Sequence, residues 1–318
     1  MPRNNKKNAG VIKTSDYRAT WRYNVRRYWP LYVMVLPGIT FLIVFKYIPM
    51  FGCVIAFQDY SVFKGILNSD WVGLKHFKAL LSYYDFHKIL KNTIILGLCG
   101  IFLTSPVPLI LSLMLNEVKS LKMKKTIQTA IYVPHFLSWV IVGGLVFDLF
   151  GINGLFNKAR ELLGMTKILV MQKESWYRPI YILSSIWKEA GWGTVVYLAA
   201  MSGISPSLYE SAQMDGASRF QRMIYITLPL LLPTALTLFL LSIGSFLEQG
   251  FEQAYNLMTP MTYSVADIFD TYVYRIGIQM GRYSFTTAIG IFQSVVGLIL
   301  VVTFNKLANK FTTDGGLW

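Results

Sequence analysis

The sequence predicts an all-α membrane protein with six transmembrane helices, and three observations carry the prediction. Six apolar segments of about 20 residues recur along the chain, the length a helix needs to cross the ~30 Å hydrocarbon core of a bilayer. Of 318 residues, 54% are hydrophobic and 15% aromatic, and the mean hydropathy is +0.45. A soluble domain of this length could hide so much apolar surface only in an unusually large core. The formal net charge is +14. Its basic residues flank the apolar runs, where they meet anionic headgroups and set topology, so the charge points to a lipid membrane and not to nucleic acid.

Residues 1–29 form a basic tail. From Tyr17 to Trp29, Arg18, Arg22, Arg26 and Arg27 alternate with Trp21, Tyr23 and Tyr28. Arginines at helical spacing beside aromatics suit a helix lying in the inner headgroup layer; a flexible positive tail is the alternative. The tail is too polar and too long for a signal peptide, so the first apolar run is expected to stay as an anchor. The expected spans are Leu31–Ala56, Asn92–Leu115, Ile127–Phe150, Pro179–Gly203, Pro229–Gly250 and Ser284–Phe304. With both termini inside, the inner segments hold about 16 lysines and arginines against about 5 acids, and the outer loops about 12 against about 8. That bias favours cytoplasmic termini, with residues 311–318 as a second cytoplasmic tail.

Other signals are bland. Cys53 and Cys99 lack a CxxC partner and read as small hydrophobes. His76, His87 and His135 show no metal-ligand spacing and read as interfacial or capping residues. No metal or cofactor is expected in this chain. Gly191 and Gly193 read as points of close helix approach. Lys188 and Glu189 sit inside span four, where ionisable groups are costly. They either pair internally or with a neighbouring helix, or they face a solute path.

The specific motif lies between spans four and five, from Ser205 to Pro229. Ser205 or Ser207 can cap a helix that Pro206 starts, and Ser207 with Glu210 forms a capping-box pattern. Gly216 supplies the left-handed turn that ends the helix, and a second helix from about Ser218 leads into Pro229. Leu208, Ala212 and Met214 offer a small apolar face for a partner's groove, although an ordinary interfacial loop helix fits the same pattern.

This segment resembles the EAA loop of ABC importer permeases. Glu210, Ser211 and Ala212 take the first three positions, Gly216 is the motif glycine, and Ile226-Thr227-Leu228-Pro229 closes it at the family's spacing. Ser211 departs from the usual alanine. Asp215-Gly216-Ala217-Ser218 and Trp71-Val72-Gly73-Leu74-Lys75-His76-Phe77 are similar to the maltose-type carbohydrate branch. Lys46-Tyr47-Ile48-Pro49, Trp187-Lys188-Glu189-Ala190-Gly191-Trp192 and Thr271-Tyr272-Val273-Tyr274-Arg275 resemble the LplB-like polysaccharide permeases.

The resemblance implies a type I ABC importer (MetI-like) transmembrane domain over residues 30–310, with residues 205–229 as its coupling loop. It implies a non-catalytic subunit in the bacterial plasma membrane. Its partners would be a second homologous permease subunit in a heterodimer, two ATPase subunits that use ATP and Mg, and an extracellular solute-binding lipoprotein. The cargo would be an oligosaccharide from plant or algal polysaccharide. Glu210, Ser211, Ala212, Asp215, Gly216 and Ala217 would couple to the ATPase; the chain itself has no GxxxxGK[ST] phosphate loop. Sugars are held by aromatic faces and by amides or carboxylates. Trp187, Glu189, Trp192 and Tyr197 in span four have those types, as do Phe246, Glu248 and Gln249 in span five, which match the stretch lining the maltose-type cavity. A permease for a non-sugar solute and a secondary transporter using Glu189 are the competing readings. An intramembrane enzyme ranks last, since the spans carry no HExxH and no Ser/His or paired-Asp constellation.

Overall fold

The computed structural model describes residues 15–244, 246–248 and 250–311. Gln249 of the candidate cavity and the tail segments 1–14 and 312–318 lie outside the described residues. The chain divides into two units, Met1–Val54 and Ile55–Trp318.

In the first unit, a helix runs Ser15–Leu42 and continues through a wide turn, Ile43–Tyr47. It kinks at Tyr28 (φ −109°, ψ 16°). The kink sits two residues ahead of Pro30, whose missing N–H and bulky ring break the helical ladder. The basic, aromatic segment is therefore helical from Ser15 and separated by a bend from the apolar run.

Among the described residues, five helical segments are long and apolar enough to cross a membrane: Tyr23–Phe57, Phe86–Asn116, Trp139–Leu162, Arg219–Gly244 and Tyr283–Leu307. The remaining expected span lies in helix Glu174–Ser202, whose 29 residues reach ~43 Å at ~1.5 Å each. Lys188 and Glu189 near its middle dilute its apolar character.

The third span departs from the expectation of one helix over Ile127–Phe150. The chain forms Leu121–Tyr132, a tight turn Val133–Phe136, and a new helix Trp139–Phe150. Pro134 removes a backbone donor, Leu137 is extended, and the Ser138 side chain accepts from the Ile141 N–H to cap the new helix.

Proline also explains three wide, π-helical turns. Ile43–Tyr47, Gly100–Thr104 and Met223–Thr227 each end two residues before a proline, namely Pro49, Pro106 and Pro229. The ring presses on the carbonyl four residues back, and widening the preceding turn relieves the pressure. Span five is consequently continuous from Arg219, with Pro229 inside it, and ends at Gly244 instead of Gly250.

Buried apolar side chains concentrate where loops meet span ends. One cluster joins Leu96, Val146, Tyr177, Tyr181, Leu257 and Ile268. A second, aromatic one joins Phe86, Ile89, Phe269, Tyr272, Phe285 and Ile289. Along the spans many large apolar side chains stay exposed, as a lipid-facing surface requires. Between spans one and two, β1 (Gln58–Asp59) pairs antiparallel with β2 (Asp70–Trp71). The Lys75 ammonium donates to Asp59 at 2.6 Å and holds that carboxyl below its ordinary range. His76 bonds the Gln58 carbonyl at 3.0 Å and so braces the hairpin.

Candidate functional site

Two regions hold the candidate residues. The first is the loop after span four. A helix runs Pro206–Met214, with Pro206 in its first turn and Ser205 extended before it. The expected capping box is not formed: Ser207 lies inside the helix and its hydroxyl meets Ser205 Oγ at 2.8 Å. The box appears instead at the second helix, where Ser218 and Gln221 satisfy each other's backbone N–H.

Gly216 ends the first helix with φ +79°. The Ala217 N–H donates to the Ala212 carbonyl at 2.9 Å and the Gly216 N–H to the Gln213 carbonyl at 3.1 Å. This paired reversal satisfies two carbonyls that a helix end otherwise leaves open. Glu210, Ser211, Asp215 and Gly216 are exposed, Ala212 and Ala217 partly so, and Met214 is 88% exposed. The tether to span five joins residues too far apart in sequence to leave a spacing signal. The Tyr209 hydroxyl meets Thr227 Oγ1 at 2.9 Å, and Arg222 Nη1 donates to Gln213 Oε1 at 3.1 Å. The six candidate coupling residues therefore stand on one exposed elbow tied by two side-chain hydrogen bonds to the span-five helix.

The second region is a cavity of about 220 Å³ with a mixed lining: Thr104, Ser185, Ser242, Glu248 and Gln253 are polar, and Leu96, Ile101, Ile182 and Phe246 are apolar. Gly250 (φ +74°) precedes a new helix, Phe251–Leu257, and Glu248 and Gln253 both line the cavity. Gln253 donates to the Tyr181 carbonyl at 2.7 Å and to Ser184 Oγ at 3.2 Å, which fixes its amide to span four. Glu248 also faces an opening beside Asp270, Gln293 and Ser294. Thr104, Ser185 and Gln253 were missed from sequence because single small polar residues in apolar runs carry no spacing signal.

The other candidates are placed elsewhere. Trp187 lines an apolar cleft with Leu145, Leu149, Ile180 and Leu183. Trp192 and Tyr197 line a separate apolar cavity with Phe102, Pro108, Leu236 and Phe239. Neither lining is rich in partners for sugar hydroxyls. Glu189 is engaged: His135 Nδ1 lies 2.7 Å from Oε2 and Lys188 Nζ lies 2.9 Å from Oε1. Lys188 also donates to the His135 carbonyl at 3.0 Å, and Trp192 stacks on the His135 ring with centroids 4.6 Å apart. This cluster bolts span four to the break in span three, which is the internal-pairing reading of Lys188 and Glu189. His135 is part of the bolt and not a simple interfacial residue.

The glycines nearby behave as close-approach points. A Cβ on Gly191 would stand 1.8 Å from the Ile131 carbonyl oxygen, and one on Gly193 2.7 Å from Pro108. At the opposite end of span four, Arg178 donates to Asn92, Asn92 to the carbonyls of Ser264 and Asp267, and Arg275 to Asp267. That network fixes the loop between spans five and six onto spans two and four. Among the described residues there is no cluster of His, Cys, Asp and Glu able to hold a metal ion.

Residues 86–313 match the family described as binding-protein-dependent transport system inner membrane component. The chain is similar to the polygalacturonan/rhamnogalacturonan transport system permease protein YteP of Bacillus subtilis (strain 168), with 50% identity over 90% of this chain and 89% of that one. It is 45% identical to Protein LplB of the same organism over 98% of both chains. Its structure is similar to a chain in the crystal structure of a bacterial ABC transporter involved in the import of the acidic polysaccharide alginate. There the TM-score is 0.84 and the identity 41%, covering 92% of this chain and 99% of that one. The TM-score and identity are the same, over 92% of this chain and 98% of that one, for a crystal structure of the bacterial alginate ABC transporter in complex with alginate pentasaccharide-bound periplasmic protein.

Proposed function

Because this chain belongs to the binding-protein-dependent transport system inner membrane component family, we propose that it is the membrane-spanning permease subunit of an ATP-binding-cassette importer for an oligosaccharide derived from plant or algal polysaccharide. The observation that carries the reading is the elbow at Ser205–Pro229. It is an exposed helix, ended by a glycine turn and hydrogen-bonded to span five, and so is shaped to transmit movement from a soluble partner into the membrane. The relatives' names, which concern polygalacturonan, rhamnogalacturonan and alginate, support the substrate class.

In this reading the chain is not an enzyme and needs no cofactor of its own. ATP with Mg is hydrolysed by two partner ATPase subunits, whose closure moves the elbow. A second, homologous permease subunit completes the pore as a heterodimer, and an extracellular solute-binding lipoprotein delivers the sugar. Both termini lie in the cytoplasm of a bacterial cell, with residues 1–29 as a basic tail whose helix lies in the inner headgroup layer. Residues 30–310 form the six-helix permease domain and 311–318 a second cytoplasmic tail.

Glu210, Ser211, Ala212, Asp215, Gly216 and Ala217 form the surface that docks on the ATPase. Phe246 offers a face to sugar C–H groups, and Glu248 accepts from sugar hydroxyls within the cavity. Gln249 extends the same stretch. Trp187, Glu189, Trp192 and Tyr197 serve packing and helix bracing around that path.

Reconstitution tests the reading. The complete importer in proteoliposomes is expected to accumulate oligosaccharide only with ATP and binding protein. The chain alone, given a proton or sodium gradient, is expected to move nothing. Gradient-driven uptake by the single chain would instead establish a secondary transporter. ATP-driven accumulation of an amino acid or inorganic anion in place of a sugar would establish the non-sugar reading.

A further inference from the structure

The hairpin loop between β1 and β2 carries a feature that coupling and sugar transport do not use. Phe63 is 101% and Leu67 94% exposed, and Val62 and Ile66 beside them are exposed as well. Four apolar side chains at the tip of a short loop are costly in water.

The loop is nevertheless a built structure. Ser61 N–H donates to Ser69 Oγ, Ser69 Oγ donates to the Gly65 carbonyl, and Gln58 Nε2 donates to the Ile66 carbonyl. Gly65 takes φ +68°, the left-handed turn the tip needs. Lys64 pairs with Asp70 and Lys75 with Asp59, each at 2.6 Å, so these four charges are matched within the hairpin.

Its distance from the start of span six is bounded by two contacts. The Tyr60 N–H donates to Ser284 Oγ at 2.9 Å, and the Tyr60 ring meets the Tyr283 ring edge-on at 6.2 Å. Tyr283 is the first residue of the span-six helix. At ~3.6 Å per extended residue, Val62 and Phe63 lie within roughly 7 and 11 Å of that anchor. The headgroup layer on each face of a bilayer is about 5–8 Å deep. The apolar tip is thus within reach of the level where water gives way to acyl chains, with the exposed indole of Trp71 at its base.

We propose that residues 62–67 form an apolar finger that inserts into the headgroup–acyl boundary of the bilayer beside the end of span six opposite the coupling loop. A lipid surface is the occupant because the tip is continuous with the span-six boundary and its lysine is already neutralised. It keeps no unmatched charge with which to steer or orient a protein partner. The inference rests on the chain crossing a membrane and not on which solute it carries.

The test uses the full chain in phosphatidylcholine/phosphatidylglycerol vesicles. Cys53→Ser and Cys99→Ala remove the native thiols, and Phe63→Cys or, independently, Leu67→Cys is labelled with an environment-sensitive fluorophore. The expected result at both positions is blue-shifted emission that is lost when doxyl-labelled lipid is included and is indifferent to aqueous iodide. Emission quenched by iodide and unaffected by doxyl lipid would overturn the finger. So would emission that shifts to the blue only when the complete importer and its binding protein are added, which would assign the tip to a protein contact.

Discussion

The Tyr209 hydroxyl on the loop helix lies 2.9 Å from Thr227 Oγ1 on span five, and Thr227 is buried there. This hydrogen bond joins the exposed loop helix, the proposed docking element, to a span. A typical net value for such a bond is about 1 kcal/mol, about fivefold in an equilibrium. In Tyr209→Phe, oligosaccharide uptake per ATP hydrolysed is expected to fall by about that factor while the ATPase still binds. Paired uptake and phosphate-release assays in proteoliposomes check this, and an unchanged ratio removes the tether from the mechanism.

The Gly216 turn gives a stronger effect. Its φ of +79° costs a side-chain-bearing residue about 1–2 kcal/mol, and a β-branched one fits worst. Gly216→Val is expected to insert normally yet lose ATPase association on co-purification. Beyond its chain neighbours nothing lies within 4 Å of a Cβ built there, so the loss would report backbone conformation and not a clash.

Gly191 tests the packing of span four. Its Cβ would meet the Ile131 carbonyl oxygen at 1.8 Å, and backbone cannot step aside as a side chain can. Gly191→Ala is expected to cost about 3 kcal/mol or more, read as a large fall in Tm or a failure to fold. Gly144→Ala, with nothing within 4 Å, is the matched control and should leave Tm within a degree or two.

Lys188 is 7% exposed at its side chain, and its ammonium serves both Glu189 and the His135 carbonyl. Lys188→Met leaves both acceptors without that donor. Because Glu189 is partly exposed and keeps His135, the expected cost is about 2–3 kcal/mol. Glu189→Gln keeps an acceptor and should cost less. Thermal unfolding in detergent compares the two, and equal Tm values for both variants would contradict the bolt.

For the cavity, Glu248→Ala is expected to reduce uptake several-fold without releasing the ATPase. Unchanged uptake kinetics would take Glu248 out of the sugar path.

How much of this was legible in the sequence follows from the range of each interaction. Span positions were legible because bilayer thickness imposes a length on apolar runs. The Gly216 elbow was legible because its turn is set by residues a few positions apart. The break in span three was not: Pro134 and Ser138 sit in an apolar run, and hydropathy alone reads straight through them. The three wide turns escaped for a related reason, since a proline in a span signals distortion but not its form. The capping box was placed one helix early, because Ser207/Glu210 and Ser218/Gln221 satisfy the same pattern. The bolt at Lys188, Glu189 and His135 was half legible. Charges inside a span announce a partner, but the partner lies more than fifty residues away in sequence. The cavity was least legible, because Phe246, Glu248 and Gln253 are assembled with residues of spans two and four only by the fold.

The most direct test of the central claim is a proximity measurement on the elbow. In the assembled importer, a photo-crosslinker is placed at Met214, the most exposed apolar position of the loop helix, and irradiated with and without ATP. The account predicts a covalent adduct with the ATPase subunit whose yield changes with nucleotide. Adducts only with lipid, or labelling of the same position by a membrane-impermeant reagent applied outside intact cells, would contradict it.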